Sequence, residues 1–492
     1  MSRSIFVERG ISTVVGLRCP IRKYCARWSQ SPPANYGGAA PQVPSAIGQL
    51  ALLQLADARP PEFSDEALAL HFAEKHADDL RYVAAWRKWF IWTGKYWRRD
   101  DTLLAFDWVR AECRAASALA EKTNIKRDLS SAQTVAAVER LAKADRRLAA
   151  TVDQWDADPW LLNTPGGTVD LRNGKLRQHR SHDYITKVTA VTPRKGRRRR
   201  WLVFLSRIMG GDGELIRYLQ RVAGYALTGD TREHALFFFH GTGANGKGVF
   251  LSTLTNIMAD YAITAPIETF IASHTDRHPT DLASLRGARL VNAQEIEQGK
   301  AWAESRIKTL TGGDKISARF MRQDFFEFYP VFKLFIASNH KPGFRTVDEA
   351  IRRRMNLIPF KVTIPKDERD EKLPEKLKAE WPEILTWMID GCLKWQKEGL
   401  LPPEAVRTAT EAYLESEDAI KAWMHECCTL GADFYTTTRE LYQSWRDWAE
   451  KAAETVGSQK AFAQTLIDRG FEPKREPRTG RAGFRGIKLR WV

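Results

Sequence analysis

The segment ALFFFHGTGANGKGVFLSTLTNIM, residues 235–258, most narrows what this chain can fold into. An apolar run of strand length breaks into a glycine-rich loop and resumes with helical spacing, which predicts strand, loop and helix in that order. The loop reads Gly241, Thr242, Gly243, Ala244, Asn245, Gly246, Lys247, Gly248. Glycines let backbone N–H groups curl around phosphates, the helix start adds positive potential, and a lysine at that point reaches the terminal phosphates. Gly248 stands where such loops usually carry a hydroxyl, so Mg2+ must lean on acidic groups or water. The bland reading of the same residues is a glycine-rich turn before an ordinary helix.

Hydrolysis needs acids at the end of a neighbouring buried strand. GARLVNAQEIEQGK is read as a strand that begins at Leu290 and Val291 and ends in Glu295 and Glu297. Two residues apart on a strand, these carboxylates are expected to face one side, one to hold Mg2+ and the other to orient the attacking water. A third strand, VFKLFIASNH, ends in Asn339, a neutral side chain able to hydrogen-bond a phosphate or the water. Strand ends that meet at one crevice are where open α/β sheets place ligands. Arg352, Arg353 and Arg354 follow, and one of them could enter a neighbouring subunit's site as an arginine finger. Between the acids and Asn339, TLTGGDKISARFMRQDFFEFYP predicts strands over 315–320 and 325–329. Lys315, Arg319 and Arg322 make this hairpin basic and suit it to a DNA backbone.

At 492 residues the chain is too long for one core and predicts several domains. Its formal charge of +16 favours a polyanionic partner. The absence of an apolar run of spanning length excludes a transmembrane helix. The six cysteines, at 19, 25, 113, 392, 427 and 428, form no zinc pattern and read as buried thiols of a reducing cytoplasm.

Residues 1–61 begin with an arginine-rich stretch followed by SPPANYGGAAPQVPSA and read as a flexible or dispensable extension. Residues 62–195 read as an α+β domain: a helix, a hairpin turning near Thr93-Gly94, a long helical stretch over 103–151, and two strands around Asn173-Gly174. Trp86, Trp89, Trp92 and Trp97 suit a core or a base-stacking surface. RKGRRRR, residues 194–200, marks a boundary and reads as a solvated linker or a phosphate-tracking patch. The ATPase core is expected over 196–400. Over 405–492, amphipathic helices and a basic hairpin predict a winged helix-turn-helix, with Arg481, Arg485 and Lys488 contacting DNA.

GTGANGKG, the Glu295/Glu297 strand, the TGGDKISAR hairpin and the strand ending in Ser338-Asn339 together resemble the superfamily 3 helicases, in particular the helicase part of phage and plasmid primase-helicases related to the poxvirus primase-helicase. Upstream, LRYVAAWRKWFIWTGKYW and LLNTPGGTVDLRNGKLRQHRSHDYITKVT resemble the domain preceding the helicase in that family. The resemblance implies an AAA+-type P-loop core, a ring of six subunits with ATP and Mg2+ at their interfaces, and 3′-to-5′ translocation on single-stranded DNA. It assigns phosphate binding to Lys247, metal and water roles to Glu295 and Glu297, with Glu295 the expected Mg2+ ligand, the sensor role to Asn339, and the finger to Arg353 or Arg354. The family's acidic pair is often adjacent, whereas here one residue separates the two. Longer relatives carry a primase domain ahead of these segments, so a separate primase is the expected partner. The reading is a replicative helicase of a phage, prophage or plasmid in a bacterial cytoplasm. The alternatives are an origin-binding or DNA-packaging ATPase that does not unwind, and an inactive DNA-binding module.

Overall fold

A computed structural model describes residues 60–273, 280–322, 324–344, 347–452, 454, 456–476 and 480–490. The expected N-terminal extension lies outside the described residues. Helix α1 (Asp65–Lys75), capped by Ser64, leads into a meander of β1 (Leu80–Val83), β2 (Lys88–Trp92) and β3 (Trp97–Arg99). The turn at Thr93-Gly94 joins β2 to β3, and Gly94 has φ +84°. The stretch read as one long helix is three: α2 (Leu104–Leu119), α3 (Thr123–Leu129) and α4 (Ala132–Ala142), the last restarted by the Ser131 cap. Leu68, Phe72, Val109 and Val138 form the core between helices and meander. Trp89 and Trp97 are buried, whereas Trp86 and Trp92 are half-exposed.

Three strands, not two, follow: β4 (Leu161–Thr164), β5 (Gly167–Asp170) and β6 (Lys175–Arg177). Leu162, Val169 and Leu171 belong to the same buried cluster as the strands and helices downstream. The expected boundary near residue 195 is therefore not a break in packing. The arginine run is no free linker either. Arg194, Arg198 and Arg200 pair with Glu383, Asp390 and Glu380, and helix α5 (Arg199–Ile208) begins within the run.

Helix α6 (Gly213–Ala226) precedes the central sheet, whose strands are β7 (Leu236–His240), β8 (Ala262–Thr264), β9 (Leu290–Gln294), β12 (Lys333–Ser338) and β13 (Met355–Pro359). The sheet order is β13-β7-β12-β9-β8 and every pairing is parallel. Strands buried on both faces read as continuous apolar runs, as LFFFH and KLFIAS do. Helix α7 (Lys247–Met258) follows β7, with α8 (Thr280–Ala283), α9 (Glu304–Gly312) and α10 (Glu349–Arg352) later in the chain. The hairpin of β10 (Ile316–Ala318) and β11 (Phe326–Phe328) is shorter than its sequence predicts, leaving a longer tip.

Helices α11 (Leu373–Lys378), α12 (Trp381–Glu398) and α13 (Glu404–Ser416) complete this body. Glycines at the crossing of α6 and α12 let the backbones touch: a Cβ on Gly224 would lie 2.0 Å from the Cys392 nitrogen. Helix α13 was expected in the C-terminal domain, yet Thr410 Oγ1 accepts a hydrogen bond from the Leu357 nitrogen of β13 and Tyr413 sits in the sheet's core.

A separate core forms after Asp418 around Trp423, Trp445, Phe462 and Ile487. It comprises α14 (Ala419–Cys427), β14 (Cys428–Thr437), α15 (Thr438–Lys451), α16 (Gln459–Asp468), β15 (Glu472–Arg475) and β16 (Ala482–Leu489), with sheet order β14-β16-β15. The sequence reading missed β14, because its polar burial pattern resembles a loop with a helix cap. Of the described cysteines, Cys113, Cys392 and Cys428 are buried and Cys427 half-buried. Burial pushes the Cys392 and Cys428 thiols up to about 12, so neither is a nucleophile.

Candidate functional site

The sheet register sets the site. His240 of β7 pairs with Ser338 of β12, and Gln294 of β9 with Ala337, so three strands end side by side. The next residues, Gly241, Glu295 and Asn339, therefore emerge at one edge. Glu295 and Asn339, together with 243–249, border a cavity of about 500 Å³ that Ser338 and His340 also line. Gly246 has φ +83°, and a Cβ there would lie 2.5 Å from Ile208 of α5, so the loop needs glycine. The end of β13 braces the loop, since Ile364 N donates to Ala244 O at 2.8 Å and Phe360 N to His240 O at 2.7 Å.

Lys247 opens α7 and is only 7 % exposed. Its Nζ donates to Gly241 O at 2.6 Å, Asn339 Oδ1 at 3.0 Å and Asn245 Oδ1 at 3.2 Å. All three acceptors are neutral, and among the described residues no carboxylate pairs with it. Burial pulls the ammonium down to about 8. A buried cation with uncharged partners, facing a cavity at a helix N-terminus, suits a polyanion. Desolvation, helped by Lys341 and Lys247, holds His240 down to about 4, so its imidazole adds no charge near neutral pH.

The acids depart from expectation. Strand β9 stops at Gln294, and Glu295 has φ +66°, a left-handed turn that ends the alternation of faces. Ser338 pins this turn through hydrogen bonds with Ile296, while Glu295 N donates to Ala337 O at 3.0 Å. Glu295 lines the cavity beside Lys247. Glu295 also lines an adjoining cavity, which it shares with Glu297, Glu268 and Lys300, and Lys300 pairs with Glu297 at 3.1 Å. The two carboxylates do not share a strand face.

The three arginines also separate. Arg354 is buried, donating to Thr311 Oγ1 and Ala350 O, which is a structural placement. Arg352 pairs at 3.1 Å with Asp418, a buried carboxylate that also binds Arg469 and caps α14 through Lys421 N. Arg353 is exposed, and none of the three lines the cavity.

On the hairpin, Lys315 pairs with Glu327 at 3.2 Å, Arg319 lies 4.7 Å from the Phe325 ring, and Arg322 is exposed at φ +59°. Phe320, Met321 and Phe325 are exposed beside them, an aromatic character that a reading for charge overlooked. Arg485 and Lys488 project from the exposed face of β16; Arg485 donates to Ala432 O and Lys488 lies 4.0 Å from the Phe434 ring. Arg481 is exposed just before that strand. Gln294 and His340, which line the cavity, were not singled out from sequence, although each directly flanks a residue that was.

Residues 69–210 match a family model described as D5 N terminal like. Residues 239–354, from the end of β7 to Arg354, match a second family, described as of unknown function. "Putative helicase 022R" of Frog virus 3 (isolate Goorha) is 25% identical over 330 residues, 62% of this chain and 32% of that protein. The chain therefore carries a D5 N terminal like region and resembles viral proteins named as putative helicases. Another viral relative, "Putative helicase 184R" of Invertebrate iridescent virus 6, is 27% identical over 60% of this chain and 35% of its own length. The chain thus spans about a third of the length of these curated relatives. Among solved structures, the apo C-terminal region of NrS-1 aligns with TM-score 0.47 and 10% identity over 87% of this chain and 100% of that one. No helix among the described residues is long and apolar enough to cross a membrane.

Proposed function

We propose that this chain is an ATP-hydrolysing DNA helicase, a ring of six subunits built on an AAA+-type P-loop core and bearing a winged-helix module. The observation that carries the reading is Lys247: a buried ammonium held only by neutral oxygens, at a helix start, with Glu295 and Asn339 around one cavity. The strand order supports the core assignment, since β12 lies between the phosphate-loop strand β7 and the acidic strand β9. The viral relatives carry helicase in their names.

In this reading the backbone N–H groups of 243–248 and the Lys247 ammonium hold the nucleotide phosphates. Asn339, already bonded to Lys247, releases it to bind the terminal phosphate or the attacking water. Glu295 would hold Mg2+, and the space beside Gly248 is open, since a Cβ there would meet nothing within 4 Å. Mg2+ when bound neutralises charge on the phosphate oxygens. Glu297, in the adjoining cavity, polarises water from the far side. Arg353, exposed and outside its own cavity, is the finger for the neighbouring subunit, a choice favoured over Arg354 by the burial of the latter. The 316–328 hairpin and the outward face of β16 hold DNA.

The test is steady-state ATP hydrolysis with and without single-stranded DNA, followed by unwinding of a tailed duplex. DNA-stimulated turnover and strand separation, both lost in Lys247→Ala, are expected. Turnover without strand separation would overturn the helicase reading in favour of a non-unwinding ATPase. An Arg353→Ala ring should keep nucleotide binding while losing about 10³-fold in turnover, the usual worth of such a finger.

A further inference from the structure

Trp86 lies at the turn between β1 and β2, backed by the rings of Phe90 at 5.5 Å and Trp155 at 6.2 Å. Its indole faces the Arg286 guanidinium, 5.5 Å from the ring centroid, and the same guanidinium lies 5.0 Å from the Phe326 ring of β11. Phe326 in turn stacks on Phe320 at 5.6 Å with an interplanar angle of 27°. Ring, cation, ring and ring therefore run without a gap from the N-terminal meander to the tip of the basic hairpin. Burial lowers the Arg286 pKa, and no acidic side chain offsets it. Beside Trp86, the side chains of Arg87 and Lys88 are exposed and make no ion pair or hydrogen bond among the described residues.

We infer that this ladder is a binding track for single-stranded DNA, running from the hairpin across Arg286 onto Trp86, Arg87 and Lys88. The inference rests on the reading of the chain as a DNA motor and extends it to the N-terminal region. Alternating rings and cations are how sequence-tolerant sites hold single strands, rings stacking on bases and cations tracking phosphates. A duplex keeps its base faces stacked inside and cannot use the rings. An acidic protein segment would satisfy the cations alone. The track also gives Trp86 a purpose that core packing leaves open, since it is half-exposed where Trp89 and Trp97 are buried.

The experiment is fluorescence anisotropy of a labelled oligothymidylate with the full chain, comparing wild type with Arg87→Glu/Lys88→Glu across a salt series. Both residues are exposed, so folding is not at stake, and hydrolysis without DNA should be unchanged. Affinity at low salt is expected to fall by about tenfold or more. The slope of log Kd against log salt should flatten by about 1.4, the share of two single-strand phosphate contacts. Wild-type affinity and slope in the double variant would overturn the track while leaving the motor intact. Photocrosslinking to an oligonucleotide carrying 5-bromodeoxyuridine should place an adduct on Trp86; adducts confined to residues 316–328 would also overturn the track. A wild-type chain that binds no oligothymidylate would overturn the DNA-motor reading itself and the track with it.

Discussion

Buried cations stand at both ends of the same sheet. At the edge where the strands finish, Lys247 is held by one main-chain carbonyl and two side-chain amides, and it faces a cavity. At the edge where β9 and β12 start, Lys333 and Arg289 are fully enclosed. Lys333 donates to the carbonyls of Thr228, Asp230 and Val331, with Tyr225 at 4.7 Å. Arg289 donates to the carbonyls of Leu227, Asp158 and Leu161, with Tyr261 at 4.6 Å. Both ends spare the cation a carboxylate, and burial lowers all three pKa values. Burial of a charge therefore does not mark a site. The difference lies in the partners: side-chain amides beside empty space can exchange for a ligand, whereas main-chain carbonyls in a closed core cannot.

The sharpest way to break this contrast is Lys247→Ala. ATP turnover should fall by about 10²–10³-fold or more, on the scale of losing one positioned donor to reacting charge. The unfolding midpoint should hold or rise, because an uncompensated buried charge is removed. A collapse of the fold would put Lys247 in the same class as Arg289. Arg289→Ala is expected to do the reverse: it strands three buried carbonyls at about 1 kcal/mol or more each, costing roughly 3 kcal/mol in urea unfolding, while turnover of the folded protein stays near wild type. Turnover lost without loss of stability would erase the distinction.

Proton linkage gives a finer test. With the Lys247 ammonium at about 8 in the free protein, half of the sites are neutral at that pH. An incoming phosphate favours the charged form and raises the pKa. Nucleotide binding near pH 8 should then take up as much as about half a proton, and almost none near pH 6, read by calorimetry in buffers of differing ionisation enthalpy. Release of a proton at pH 8 would contradict the sign. The smallest expected effect is at Gly248→Ser. Since the position is open, the added hydroxyl should leave stability unchanged and lower the Mg2+ needed for half-maximal turnover by up to about tenfold, about 1.4 kcal/mol for one extra ligand. An unchanged Mg2+ requirement would mean that the metal sits away from α7.

Strands β7 and β12 and the glycine loop before α7 were legible because apolar runs buried on both faces announce themselves, and a glycine loop between strand and helix has few alternatives. The geometry of the acids was not, because a left-handed Glu295 breaks the two-residue period and no residue type there signals it. The arginine triplet hid its division of labour for a similar reason. Sequence shows three equal charges, whereas the end of a short helix turns one toward Thr311, one toward Asp418 and one to solvent. The C-terminal module disclosed its helices through their caps but hid β14, whose side chains are half polar on both faces. The arginine run that leads into α5 gave no sign of its ion pairs because its acidic partners lie nearly two hundred residues downstream, beyond any local pattern.

The carboxylate shared by Arg352 and Arg469 has a consequence for how this sequence can drift. Asp418 draws one arginine from beside the exposed Arg353 and another from the end of α16 in the C-terminal module. Losing the acid would leave two guanidinium groups crowded without a counter-charge, and losing either arginine alone would leave the other to neutralise it unaided. Relatives of this chain should accordingly change these three positions in concert, so that a module exchanged between them carries its own partner at 418 or fails to seat.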